Sequence, residues 1–241
     1  MPGIRMMMGA LLAGSACLTA GCAQAQAQPV RSCGLVVDAT SFSRNTDVPA
    51  KIKSGVPKFL DGCDRVAFNV ISGSVGASDC RQAPMDLVAG PRDNPQGNPN
   101  KAAQISAQRR LAAVKTMNDL LACARAETAT QTGSDVFGAL VDIARQTSPL
   151  DSSARLLVIS DMAQRTKELD LYKARIDTPA SRLAIISRLQ RDNRLPKLTG
   201  VHVTIIGFGI RVTSEVVRQQ QIRDFWDLVF VKAGALPVTY L

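Results

Sequence analysis

Apolar runs and helical periods alternate along most of this chain. Leu35-Val36-Val37 follows Gly34 and stops at Asp38. Arg65 to Ile71 carries Val66, Ala67, Phe68 and Val70. Arg155 to Asp161 carries Leu156 to Ile159, and Gly200 to Ile206 carries Val201, Val203 and Ile205. Short, continuous, β-branched runs of this kind suit strands buried on both faces of a parallel sheet. Helical signals lie between them. Thr46-Asp47-Val48-Pro49 is a helix start, with proline early and Pro57 as a limit or kink. Lys101 to Arg125 places Ile105, Leu111, Val114, Met117 and Leu121 on one stripe. Val136 to Arg145 follows a cap at Ser134 or Asp135. Thr178-Pro179 opens a helix to about Asp192 through Leu183, Ile186 and Leu189, and Ser214 opens a last one that Gly234 ends. Residues 73–100 are rich in Gly-Pro and Asn-Pro steps and read as a long loop. The alternation predicts an α/β fold: a doubly wound, mainly parallel sheet flanked by helices in three layers, with right-handed crossovers.

The first residues lie outside this pattern. Arg5 precedes an apolar stretch from Met6 to Ala20, too short to span a bilayer comfortably, and Ala25-Gln-Ala27 fits a signal cleavage site. Residues 1–28 therefore read as an export signal. Leu18-Thr-Ala-Gly-Cys22 also resembles the bacterial lipoprotein box, with Thr19 where a large aliphatic residue is usual. Two destinations stay open: a soluble periplasmic protein, or one anchored to the outer membrane by a lipid on Cys22.

Cysteine usage agrees with export. Beyond the signal, Cys33, Cys63, Cys80 and Cys123 form an even set without a C-x-x-C pair, so two disulfides are expected rather than a metal site. Of three connectivities, Cys33–Cys63 with Cys80–Cys123 is preferred. Cys33 and Cys63 each precede an apolar run and would start neighbouring parallel strands. The formal charge of +9 allows acidic partners, but the cations are scattered and aromatics make up only 4% of the chain. Nucleic-acid binding is not expected, because it wants a basic face or stacking platforms.

The chemistry that stands out is at strand ends. Asp38 ends the first strand and is followed by Thr40, Ser41 and Ser43; Asp161 ends another. Carboxylates with hydroxyl oxygens, and no sulfur or imidazole, suit a hard cation such as Mg²⁺. The carboxyl ends of parallel strands are also where open α/β sheets bind ligands. The plainer reading is a pair of polar turns whose residues only cap helices.

Taken together and in order, these segments resemble a von Willebrand factor type A (vWA) domain. Asp38-Ala-Thr40 is similar to the start of that family's D-x-S-x-S motif, although the third position falls on Phe42, which cannot ligate. Thr132-Gly-Ser134-Asp-Val-Phe-Gly resembles its Gly-Thr loop, with Ser134 in the threonine position. Val158-Ile-Ser-Asp161 resembles the aspartate after the fourth strand, with Met162 in place of the usual glycine. The resemblance covers residues 33–236 as one vWA-like domain. It implies a metal-ion-dependent adhesion site formed by Asp38, Thr40, Ser134 and Asp161, holding Mg²⁺. It also implies a non-catalytic role in binding a protein partner through an acidic side chain, in the cell envelope. A metal-dependent envelope hydrolase using Asp38 and Asp161 is an alternative, as is a structural subunit of an envelope or secretion assembly with a vestigial site.

Other enzyme classes find little support. His202, the single histidine, lies within a strand away from the strand tops, so a Ser-His-Asp or Cys-His arrangement lacks its base. Ser72-Gly-Ser-Val-Gly76 lacks the first glycine of a nucleophile elbow. Asp38-Ala-Thr40 lacks the second carboxylate of a haloacid dehalogenase motif. No P-loop lysine pattern occurs, and Gly207-Phe-Gly209 has no third glycine in place for a dinucleotide.

Overall fold

The computed structural model describes residues 30–40, 42, 46–73, 76, 78–127, 133–147, 154–209 and 215–241. The segment 1–28, Ser41, Ser43, Thr132 and Ser214 lie outside the described residues. In chain order the elements are β1 (Ser32–Asp38), α1 (Val48–Leu60), β2 (Arg65–Ile71), β3 (Met85–Asp86), α2 (Pro99–Glu127), α3 (Val136–Gln146), β4 (Arg155–Ile159), α4 (Pro179–Arg191), β5 (His202–Ile206), α5 (Val216–Lys232) and β6 (Thr239–Tyr240).

The strands make one sheet in the order β3-β2-β1-β4-β5-β6. Only β3 runs antiparallel; β2, β1, β4, β5 and β6 are parallel to one another. β1 is central and pairs on both sides, Leu35 lying opposite Phe68 of β2 and Leu157 of β4. Two cores follow from the strand period of two. Val36, Leu156, Val158, Val203 and Ile205 face α3, α4 and α5, with Trp226 and Phe225 at the centre. Leu35, Val37, Phe68, Val70, Leu157 and Ile159 face α1 and α2. The result is a three-layer α/β fold. Gly34 lets α3 sit close on β1, since a Cβ there would lie 2.9 Å from Ile143 and 3.0 Å from Leu156.

The helix ends obey local chemistry. Asp47 accepts from the Ala50 amide with Pro49 in the first turn, Asp135 accepts from Gly138, and Thr178 and Ser181 form a capping box. Gly234 takes a left-handed φ of 80° just past α5.

The structure departs from the sequence pattern in three places. First, the expected stripe of α2 is displaced: Leu111 is 72% exposed, and Ala113, Met117, Leu120, Leu121 and Ala124 are the buried residues. A helix of 29 residues is about 44 Å long, far longer than a strand of 7. In its first half Ile105 is half-buried and Arg109 reaches Asp93 and the Val88 carbonyl, while Leu111 faces outward. Leu183 of α4 is likewise 40% exposed. Second, the long loop contains the edge strand β3. Third, β6 extends the sheet beyond residue 236. Two-residue edge strands carry too little pattern to be seen in a sequence.

Disulfides join Cys33 to Cys63 and Cys80 to Cys123, as preferred above. The first ties the starts of β1 and β2 and is buried; the second ties the β2–β3 loop to α2, with Cys123 exposed. Closing 30 residues of chain removes loop entropy worth about 3–4 kcal/mol from the unfolded state. A Cys33→Ala/Cys63→Ala variant is therefore expected to lose about that much unfolding free energy in urea titrations. An unchanged midpoint would show that the native pairing does not form.

Candidate functional site

The chain builds β1, β2 and β3 on one side of the sheet and then returns past β1 to build β4, β5 and β6 on the other. The direction of winding reverses between β1 and β4, and the crevice beyond their carboxyl ends is where such sheets bind ligands. Asp38 ends β1 there, and Ser160-Asp161 follow β4.

Asp38 is fully buried and tightly held. Its Oδ1 accepts from the Thr40 amide at 2.8 Å and the Thr40 hydroxyl at 2.6 Å, and its Oδ2 accepts from the Ser160 hydroxyl at 2.7 Å. The Ser160 Oγ in turn accepts from the Met162 amide at 2.9 Å. Asp161 is 2% exposed, and its Oδ1 accepts from the Ala163 amide at 3.0 Å. Gly209, on the turn after β5, donates its amide to the Asp161 carbonyl at 3.2 Å.

The approach to α3 closes over the same end. Asp135 donates its amide to the Ser72 carbonyl at the top of β2, and Ser134 exchanges two backbone hydrogen bonds with Arg165 at 2.8 Å each. Gly133 has a φ of +117°, and a Cβ there would lie 2.6 Å from the Arg165 carbonyl oxygen, so that contact requires glycine. The Gln164 side chain accepts from the Phe137 amide at 3.0 Å and ties the β4 loop to the first turn of α3. Tyr172 stands at the rim, 39% exposed. Its hydroxyl is pushed up by burial and then by the negative charge of Asp161.

The electrostatics are unbalanced. Burial pushes the Asp38 carboxyl above its ordinary range, against the hydrogen bonds from Thr40 and Ser160. Burial, and then the charge on Asp38, push Asp161 up to about 7. No cationic side chain is among the causes acting on either carboxyl. Two buried carboxyls that repel each other must hold protons or face a cation.

The structure thus places Asp38, Thr40, Ser134 and Asp161 at one end of the sheet. Asp38 and Thr40 are directly bonded, Asp161 is coupled to Asp38 by charge, and Ser134 is held through its backbone to the β4 loop. The Ser134 Oγ is buried without a hydrogen-bond partner, and so is the Ser72 Oγ. Orphaned buried hydroxyls are rare, and each calls for a reason. Among the described residues Thr46 carries a third just before α1, but Ser72 and Ser134 lie at the same end of the sheet as the two carboxyls, and every donor atom there is oxygen. That donor set fits Mg²⁺ in charge and hardness. Phe42 contributes nothing to it, because its ring is fully buried in the α1–α2 core. Sequence reasoning missed Ser72, Ser160 and Gln164. Ser160 was recoverable as the neighbour of a strand-end aspartate; Ser72 and Gln164 join the site only through long-range pairing. Cys80, Cys123 and Glu127 also cluster, but both sulfurs are bound in the disulfide and are not available to a metal.

No family model matches the chain, and no curated protein matches it in sequence. Among solved structures it is similar to the pilus adhesin SpaC from Lactobacillus rhamnosus GG in its open conformation, with a TM-score of 0.42 and 12% identity over 88% of this chain and 28% of that one. It is also similar to proximal thread matrix protein 1 from the mussel byssus, with a TM-score of 0.36 and 10% identity over 85% of this chain and 48% of that one. The chain spans less than half the length of either. Likeness at this level carries no argument, so the reading of the site rests on its own geometry.

Raised folded-state pKa values set the sign of the pH dependence without metal. The stabilisation is complete below the ordinary aspartate pKa of 3.8 and is lost as pH rises through about 7. In chelator, unfolding free energy is expected to fall between about pH 4 and pH 8, by on the order of 4 kcal/mol from Asp161. Asp161→Asn should flatten that slope in denaturant titrations. An unchanged slope would mean that Asp161 ionises freely in the folded state.

Proposed function

We propose that this chain is an exported, vWA-like binding domain that holds Mg²⁺ at the β1–β4 switch point and uses it to bind a protein partner without catalysing a reaction. The observation that carries this reading is the oxygen-only cluster: Asp38 and Asp161 are buried with no cation acting on them among the described residues, at the same end of the sheet as the buried, unpartnered hydroxyls of Ser72 and Ser134. Asp38, Thr40, Ser134 and Asp161 would hold the ion, with Ser72 as a further oxygen. Water would supply the ligand that Phe42 cannot. Bound there, Mg²⁺ supplies a coordination position that a carboxylate of the partner can fill. Thr40 and Ser160 orient Asp38, and the Ala163 amide orients Asp161.

The vWA reading draws on the parallel sheet with its antiparallel edge strand and on the order in which the site segments occur. A binding role without catalysis is supported by the position of His202, exposed at the start of β5 and so at the opposite end from both aspartates. The net charge of +9 favours an acidic partner. Disulfides suit an oxidising compartment. The finer location is the periplasm, free or tethered to the outer membrane through Cys22. One observation favours a second reading, a metal-dependent hydrolase: a carboxyl pushed to about 7 suits a general base.

Calorimetric titration with Mg²⁺ or Mn²⁺ decides the metal question. Binding is expected for the wild type, weaker at low pH where protons compete, and absent in Asp38→Ala. No heat with the wild type would leave a structural subunit with a vestigial site. Capture of an envelope protein that chelator abolishes supports the adhesion role. Phosphoester turnover that Asp161→Ala removes would overturn it in favour of the hydrolase.

A further inference from the structure

Met162 is one of two residues other than glycine with positive φ among the described residues, at 62°. It is fully buried, and it follows Asp161 directly. A residue with a Cβ held in the left-handed region costs on the order of 1–2 kcal/mol and persists only where its surroundings impose it. The constraint is visible. The Met162 carbonyl accepts from the Trp226 indole Nε1 at 2.8 Å and from the Gln164 amide at 3.0 Å, in the core beneath the site. Trp226 is itself fixed, stacked on Phe137 with centroids 4.7 Å apart and packed against Phe225 and Phe230.

The Met162 residue is also where the hydrogen bonds of both carboxyls meet. Its amide donates to the Ser160 Oγ, which donates to Asp38. The next amide, Ala163, is the one that holds Asp161. Rotation of Met162 to negative φ would turn the peptide between Met162 and Ala163 and swing the Ala163 amide away from Asp161. We infer that Trp226 is a positioning residue: its indole N–H locks Met162 in the left-handed conformation, and that lock aims Asp161 into the site. The inference rests on the binding reading above for its purpose, but the lock itself is a property of the metal-free chain. A buried indole N–H needs an acceptor in any case, so the discriminating position is 162, where glycine would have no need of the lock.

That last point supplies the test. Three variants of the full chain are compared, Trp226→Phe, Met162→Gly and the double variant, by hydrogen exchange of segment 160–166 without metal and by Mn²⁺ titration. Trp226→Phe is expected to speed exchange of that segment by about tenfold and to weaken Mn²⁺ binding by a similar factor, an energy of the order of the left-handed cost. Met162→Gly removes a buried side chain, so its own exchange and Mn²⁺ affinity are the reference against which the double variant is read. The double variant should recover both protection and affinity, which a purely structural tryptophan would not allow. If Trp226→Phe fails to fold, benzothienylalanine at 226 keeps the ring volume and removes only the N–H. Exchange of 160–166 that is unchanged in a folded Trp226 variant, or not rescued by Met162→Gly, overturns the inference. If the exchange pattern holds and the wild type shows no Mn²⁺ binding, the lock stands and the metal reading fails.

Discussion

Two mutually repelling carboxyls buried at the carboxyl end of a parallel sheet, with no cation acting on them among the described residues, are the constraint on which this structure turns. Burial of one charged group is costly, and a second like charge beside it adds to the cost. The chain accepts the arrangement because β1 and β4 are adjacent. Their pairing places Val37 opposite Ile159; Asp38 is the last residue of β1, and Asp161 lies two residues past the end of β4. Any register that kept the apolar faces of these strands inside would still deliver both carboxyls to the same crevice.

Around that pair the structure spends many specific contacts. Thr40, Ser160 and the Ala163 amide leave neither aspartate free to rotate. Gly133, Gln164 and the exchange between Ser134 and Arg165 bring the start of α3 over the same end. Rigid aim combined with unmatched charge is the expected condition of a preorganised ion site. The strain at Met162 belongs to the same logic, since unfavourable backbone conformations concentrate where function requires a fixed geometry.

The opposite end of the sheet has a different character. The buried Cys33–Cys63 bridge fixes the starts of β1 and β2, and Arg31 forms a forked pair with Asp64 there. Stability at one end and functional groups at the other is a common division in parallel sheets, because helix starts and loose connecting segments gather at the carboxyl end.

Much of this was legible in the residues alone. The alternation of apolar runs with helical periods determined the α/β class, because burial on both faces requires continuous apolar strands. Asp47, Asp135 and Thr178 marked helix starts, because capping is local chemistry. The strand-end positions of Asp38 and Asp161 identified the candidate site, because parallel strands end on one side. Tertiary structure decided the rest. Which part of the α2 stripe is buried depended on how far the sheet extends beneath it. Ser72 became part of the site through the pairing of β2 with β1. Trp226, 64 residues from Met162, reaches the site loop only after α5 docks on α3 and β4. Contacts of that separation follow from global packing and leave no periodic trace in a sequence, which is why the aspartates could be read from the chain and the residue that positions Asp161 could not.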